Sequence, residues 1–175
     1  MNSSRSISKQ QISELFKRFD THGDGSRLYF HDFYELLKYK SRQENQKVID
    51  ISAARFFFSG AAISDPSQIS QNEMEYLFSA FNSTDPVEFA KLVFRAIDKD
   101  RKGTIGADEL QDSTVIFAEN SPISTLLAKA VHEIEGTDQR LNYARFIELT
   151  TGEVIEAGFD PYDGKLPKSQ CCLLI

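Results

Sequence analysis

The stretch DKDRKGTIGADE at positions 98–109 decides the fold. Acidic residues stand at its first, third, eleventh and twelfth places, a glycine at the sixth and an isoleucine at the eighth. Carboxylates at this spacing are typical of a loop that wraps a hard cation, and the glycine permits the sharp turn that such a loop needs. Lys102, however, stands fifth, where an oxygen would be expected. The stretch therefore indicates a metal loop with a defect.

The apolar pair Ile105 and Leu110 recurs along the chain with the same spacing of five residues. The other pairs are Leu28 with Phe33, Ile69 with Met74, and Leu141 with Phe146. Their first members follow one another at intervals of 41, 36 and 36 residues. Each pair comes after a polar or glycine-containing stretch and before helix-like sequence. Self-similarity at such a period indicates a repeated supersecondary unit.

The segments between these pairs have the periodicity of helices. Apolar residues recur at helical spacing before the first pair and before the stretch 98–109. Asp85-Pro86 and Ser121-Pro122 each place a capping residue before a proline, which is a helix-start signal. We therefore predict an all-α fold of about eight helices in four helix-loop-helix units. The predicted divisions are an N-terminal lobe 6–81, a C-terminal lobe 86–152 and a flexible tail 153–175.

This repeat resembles the EF-hand superfamily, and the four-unit layout is similar to that of calmodulin and calcineurin B. The resemblance covers nearly all of residues 8–150. It implies that the units pair and that the eighth loop residues of two partners meet in a short two-stranded contact. Leu28 would then face Ile69, and Ile105 would face Leu141. A generic helical bundle is the alternative.

For loop three (98–109), the resemblance implies a calcium site in which Asp98, Asp100 and Glu109 bind the ion directly. Thr104 would give its backbone carbonyl, and a water would serve at Gly106. Lys102 offers no oxygen and adds a positive charge, so we expect binding at the weak end of sensor-type sites. A relic that keeps only the shape of the loop is the alternative.

Loop one (20–32) is a possible weak second site. Asp20 and Asp24 stand where ligands are expected, but His22 replaces an oxygen at the third place. An extra residue before Leu28 lengthens the loop, and Asp32 is shorter than the glutamate that closes a calcium loop. His22 is more simply a solvated loop residue than a transition-metal ligand, because no second His or Cys stands at ligand spacing.

Loop two (62–73) and loop four (134–145) are predicted to be structural partners without calcium. Loop two keeps Glu73 but lacks an acid at its first place and has Pro66 at its fifth. Loop four ends at Arg145, whose positive charge would repel the ion. Both loops would brace loops one and three.

The residues Cys172-Leu173-Leu174-Ile175 fit a C-a-a-X pattern, which predicts prenylation of Cys172. Isoleucine at the last place favours a geranylgeranyl over a farnesyl group, but the sequence does not decide between the two. A single lipid binds membranes only reversibly, so Cys171 is the candidate for a second anchor by palmitoylation. The alternative is an apolar tail that folds into a groove of the protein. We expect a cytoplasmic location, at the cytoplasmic face of a membrane.

Composition and motifs exclude several other classes. The net charge of −6 and the lack of a basic stripe argue against nucleic-acid binding. No signal peptide, N-myristoylation site or membrane-spanning run is present. No phosphate loop, nucleophile elbow or zinc-protease motif occurs, so an enzyme is not expected.

The main hypothesis is a membrane-anchored EF-hand regulator that binds calcium at loop three and recruits a partner protein. The resemblance implies that the partner is a target helix or peptide bound in a groove, which would be lined by some of the 14 Phe of the chain. Only 2 Met are present, which predicts a less adaptable groove and few partners. The alternatives are a calcium-independent adaptor with four degenerate loops and, without a supporting motif, an enzyme on this scaffold. Sequence does not predict the oligomeric state.

Overall fold

Eight helices and four short strands make up the part of the chain that a computed structural model describes, residues 8–23, 25–119, 121–137 and 139–162. In chain order they are α1 (Lys9–Phe19), β1 (Arg27–Tyr29), α2 (Phe30–Gln43), α3 (Ile51–Ala61), β2 (Gln68–Ser70), α4 (Gln71–Asn82), α5 (Pro86–Ile97), β3 (Thr104–Ile105), α6 (Ala107–Thr114), α7 (Pro122–Ile134), β4 (Leu141–Asn142) and α8 (Tyr143–Thr151). The all-α prediction is confirmed. The chain divides into unit 1, Met1–Thr84, and unit 2, Asp85–Ile175.

Side-chain caps fix where the helices begin. The Asp85 carboxylate accepts a hydrogen bond from the backbone N–H of Val87, and Pro86 takes the first turn of α5. Ser121 caps α7 by accepting a bond from the backbone N–H of Ser124. These caps satisfy backbone donors that have no partner within the helix. Both helix starts predicted from sequence are confirmed.

In each unit, one short antiparallel strand pair joins the two loops. In unit 1, Leu28 lies opposite Ile69, and in unit 2, Ile105 lies opposite Leu141. All four side chains are buried. Strands this short have few ladder hydrogen bonds, so the burial of these apolar side chains contributes much of the stability of each loop pair. The pairing implied by the resemblance is confirmed.

Phenylalanine rings form much of the core of each unit. In unit 1 the Phe58 ring lies 5.3 Å from that of Phe33 and 5.5 Å from that of Phe30, measured between centroids. In unit 2 the Phe94 ring lies 5.4 Å from that of Phe146, which brings α5 against α8. Tilted and edge-to-face pairs at these distances add to the stability gained from burial.

Residues in the segment 159–162, which follows α8, contact α5. The Arg95 Nε atom donates a hydrogen bond to the carbonyl of Pro161, and Tyr162 is buried. The ammonium of Lys91 lies 5.7 Å from the centroid of the Phe159 ring. Buried cations on α5 need such partners. These contacts hold Phe159, Pro161 and Tyr162 against α5.

In the described part of the chain, no helix combines the length and the hydropathy that crossing a membrane requires.

Candidate metal centre

Loop three lies between α5 and α6 and turns at Gly103. The glycine has a φ of 75°, a left-handed conformation that residues with a side chain rarely adopt. The turn folds the first half of the loop back over the end of α5. Asp98, Asp100 and Glu109 each then offer an oxygen, and these oxygens all lie within 4.8 Å of one another. Among the described residues, these three form the group of acidic, His or Cys side chains that is placed to hold a metal ion.

Asp98 is buried and held on both carboxylate oxygens. Its Oδ1 accepts the backbone N–H of Lys102 at 3.0 Å, and its Oδ2 accepts that of Gly103 at 2.8 Å. The hydroxyl of Tyr162 donates to Oδ2 at 2.8 Å. Burial raises the pKa of Asp98 to about 6, although the bonds from Tyr162 and Gly103 act in the opposite direction. The first ligand position is therefore well fixed before any ion arrives.

The Tyr162 contact has no signal in the sequence. It joins residues 64 positions apart, and Tyr162 lies beyond α8 in a segment without regular structure. The phenol is buried beside a carboxylate, and burial raises the pKa of Tyr162 far above its usual range. Tyr162 therefore stays a neutral hydrogen-bond donor to Asp98.

The donor set fits calcium in kind. Three carboxylates and the Thr104 carbonyl are oxygen ligands, which a hard cation prefers. The fifth place is the defect that the sequence predicted, because the Lys102 ammonium lies 2.6 Å from Asp100 Oδ2. Burial raises the pKa of Asp100, but hydrogen bonds from Lys102 and Asp98 outweigh burial and leave it below its usual range. The loop can hold an ion only in competition with its own lysine.

Arg140 of loop four, which the sequence analysis did not single out, also reaches into loop three. Its Nη2 lies 2.7 Å from the carbonyl of Thr104 and 2.9 Å from Glu109 Oε2. Its Nε donates to the Thr104 hydroxyl at 2.9 Å. The backbone N–H of Gly106 also donates to Glu109 Oε2, at 2.9 Å. Two side-chain cations, one from each loop of the pair, therefore face the acidic cluster.

Among its described residues, loop one does not bring three predicted ligands together as loop three does. Asp20 accepts backbone N–H bonds from His22, Gly23 and Gly25, and these bonds lower its pKa despite some desolvation. Asp32 is buried, accepts the hydroxyl of Thr21 at 2.9 Å, and has Oδ2 3.6 Å from His22 Nδ1. Asp24 lies outside the described residues. Thr21 and His22 thus contact the carboxylate that would close a metal site.

Loop two holds its closing carboxylate entirely with neutral donors. Glu73 is buried and accepts bonds from the backbone N–H and the hydroxyl of both Ser64 and Ser70. Burial alone would raise the pKa of Glu73, but these hydrogen bonds leave it below the usual range. Every lone-pair direction of the carboxylate is engaged, so the side chain acts as a structural cap.

Loop four closes on a salt-bridged arginine. Arg145 contacts Glu133 at 2.7 Å and Glu148 at 2.8 Å, and these acids raise the pKa of the guanidinium. Arginine at the twelfth place removes the carboxylate that would close a calcium loop. The predicted lipidation residues Cys171 and Cys172 lie outside the described part of the chain.

Comparison with known proteins bears on the same part of the chain. A family model described as EF hand matches residues 89–112, which include most of α5, all of loop three and most of α6. No curated protein matches the chain. The match supports an EF hand over residues 89–112, the part of unit 2 that carries the metal centre.

Proposed function

We propose that this chain is a non-enzymatic calcium-binding regulator that takes up calcium at loop three. The observation that carries the proposal is the convergence of Asp98, Asp100 and Glu109, whose ligand oxygens lie within 4.8 Å of one another. The EF-hand match falls on these residues. A preformed cluster of this kind favours binding, because the loop needs little rearrangement to surround an ion.

The affinity should be low for an EF-hand loop. Lys102 and Arg140 together neutralise part of the charge that calcium would otherwise meet. Gly106 brings no side-chain oxygen, so a water has to fill the ninth place. Fewer charged ligands weaken a calcium site, and we expect a Kd of about 10⁻⁵ M or above.

The test is a calorimetric calcium titration of the full chain at physiological magnesium. Asp98→Ala and Glu109→Gln each remove a ligand and should abolish the binding heat. Asp108→Asn is the matched control, because this exposed acid lies in the same loop outside the cluster. It should bind as the parent does. No heat from the parent chain up to millimolar calcium would overturn the proposal.

The partner proposed for the regulator is an amphipathic helix that docks in unit 1. A cavity of about 270 Å³ there is lined mainly by apolar side chains, and Phe81 on its rim is 46% exposed. The apolar lining residues are Phe33, Leu37, Ile49, Phe57, Leu77, Phe78 and Phe81. Such a groove suits the apolar face of a helix. If a helix docks in this groove, Phe81→Asp should remove binding of an amphipathic peptide or an apolar dye without unfolding the chain.

A calcium-independent adaptor is the second candidate. The specific observation in its favour is that Lys102 and Arg140 both face the acidic cluster and can neutralise its charge in place of a metal. This candidate predicts the same near-ultraviolet circular dichroism, and the same groove binding, with calcium and with chelator. A calcium-dependent change in either signal would exclude it.

Attachment to a membrane through lipid at Cys172, with Cys171 as a second anchor, stays a prediction from the sequence. Mass spectrometry of the protein from a eukaryotic host measures it directly. We expect a prenyl adduct on Cys172 that Cys172→Ser removes. An unmodified tail would remove the anchor from the account and leave the calcium proposal untouched.

A further inference from the structure

One nitrogen of Arg140 lies close to three oxygens that a bound ion would use. Its Nη2 is 2.7 Å from the Thr104 carbonyl, 2.9 Å from Glu109 Oε2 and 3.9 Å from Asp100 Oδ2. These oxygens belong to the seventh, twelfth and third places of loop three. Calcium binds its ligands at about 2.3–2.6 Å and takes the same places. The guanidinium and the ion therefore compete for the same oxygens.

Gly106 makes room for this arrangement. The antiparallel register sets Ile105 opposite Leu141, and one further step along it brings Gly106 opposite Arg140. A Cβ atom on Gly106 would lie 2.7 Å from Arg140 Nη1, which is closer than such atoms approach. Gly106 has a φ of −93°, so the backbone itself does not require glycine. The ninth place thus lacks a ligand side chain where the arginine needs space.

Arg140 can also leave its position. Its side chain is 41% exposed and is held by hydrogen bonds and ion pairs at the surface of the loop, where water can replace them. A bound calcium would repel the guanidinium and satisfy the same oxygens. Neither the loop pairing nor the core has to change for this exchange.

We propose that Arg140 is a built-in counter-cation of loop three, which occupies the ion position in the metal-free chain, leaves when calcium binds, and lowers the calcium affinity. The inference rests on the proposed function, since it takes loop three as the calcium site. It adds that a residue of the neighbouring loop sets the affinity. Loop four then regulates loop three, although it has no calcium of its own.

The test compares calorimetric calcium titrations of the full-length parent, Arg140→Gln and Arg145→Gln. Arg145→Gln is the matched control, because it removes one arginine from the same loop but away from loop three. We expect Arg140→Gln to bind calcium about tenfold more tightly, while Arg145→Gln stays near the parent. Equal affinity of Arg140→Gln and the parent, or equal tightening in both variants, would overturn the inference.

Thermal unfolding adds a readout that a purely structural arginine would not give. In chelator, Arg140→Gln should unfold at a lower temperature than the parent, because the acidic cluster loses its counter-cation. In excess calcium the order should reverse, since tighter binding stabilises the folded state more. A variant that is less stable than the parent under both conditions would contradict the exchange.

Gly106→Ala should also displace the Arg140 guanidinium from loop three, but without changing the charge. The added Cβ should push the guanidinium aside and tighten calcium binding by a smaller factor, about threefold. Unchanged binding would contradict the claim that Gly106 makes room.

The two proposals fail in different ways. If the parent shows no calcium-binding heat and Arg140→Gln does, the inference is upheld and calcium binding is overturned as the function of this chain. If the parent and every variant show no binding heat, both proposals are overturned.

Discussion

Loop two and loop three both end in a glutamate, yet the two side chains are held in different ways. Glu73 of loop two is 4% exposed and accepts four hydrogen bonds from Ser64 and Ser70. Glu109 of loop three is 17% exposed and accepts one backbone N–H and the guanidinium of Arg140. The first carboxylate is satisfied by neutral donors of its own unit. The second is satisfied in part by a cation that can be exchanged.

This difference shows that a closing glutamate alone does not identify a calcium loop. A carboxylate whose lone pairs are filled by fixed, neutral donors has no oxygen left for an ion, and removing it destabilises the fold. A carboxylate paired with a mobile cation keeps an ion position that another cation can take. On this account loop two is a brace, and loop three is the proposed calcium site.

The largest expected effect separates the two glutamates by stability. Glu73→Ala leaves the donors of Ser64 and Ser70 buried without an acceptor and should cost about 3 kcal/mol of unfolding free energy. Glu109→Ala should cost about 1 kcal/mol or less in chelator, because its partners are accessible to water. Urea unfolding of both variants with chelator present measures the difference. Equal losses would remove the distinction between brace and site.

Exchanging the fifth loop residue should sharpen the comparison. Lys102→Asp removes a cation and adds an oxygen ligand, and we expect calcium binding about thirtyfold tighter, which is about 2 kcal/mol. Pro66→Asp is the matched change in loop two, where Ala62 lacks an acid at the first place. It should create no binding. Calorimetry of both variants decides, and a calcium site in Pro66→Asp would break the account of loop two.

The sequence predicts the helices, the loop pairing and the carboxylates of the site better than the side chains that donate hydrogen bonds to those carboxylates. The resemblance to the EF-hand superfamily implies that Leu28 pairs with Ile69 and Ile105 with Leu141, and the apolar character of these four residues supports the pairing. Acidic spacing likewise marks Asp98, Asp100 and Glu109. Helix starts follow from capping chemistry at each proline.

Arg140 and Tyr162 could not be found by the same means. Both reach loop three from distant positions in the chain, and no periodicity or spacing rule links them to it. One signal for Arg140 did exist. Once Ile105 is paired with Leu141, the register brings the arginine opposite Gly106, the residue that lacks a side chain. Tyr162 offers no equivalent, because its segment has no regular structure.

Tyr162→Phe tests whether loop three also has a fixed, neutral donor. The hydroxyl donates to buried Asp98, so its loss should weaken calcium binding about fivefold, or about 1 kcal/mol. Tyr34→Phe is the control, because this hydroxyl donates to Ile49 in unit 1. Titration of both variants should find only the first one weakened. Tighter binding by Tyr162→Phe would show that the phenol competes with the ion.

A pH dependence of the metal-free chain is also expected. Burial raises the folded-state pKa of Asp98 from 3.8 to about 6, so the folded chain holds this proton more tightly than the unfolded one. The stabilisation from this proton is complete below the unfolded value and is lost as the pH rises through about 6.

The comparison of the parent with Asp98→Asn in chelator isolates this group. The unfolding free energy of the parent should fall relative to that of the variant between about pH 4 and pH 7. Parallel curves would show that Asp98 keeps an ordinary pKa in the folded chain. Calcium should abolish the difference in slope by favouring the ionised carboxylate.

The most direct test of the distinction between loop two and loop three is a residue-resolved calcium titration by ¹H–¹⁵N nuclear magnetic resonance. The Gly103 amide donates to Asp98 in loop three, whereas the amides of Ser64 and Ser70 donate to Glu73 in loop two. The account predicts that the Gly103 resonance moves and saturates with calcium while both serine resonances stay in place. Fixed resonances in both loops up to millimolar calcium, or equal movement in both, would contradict it.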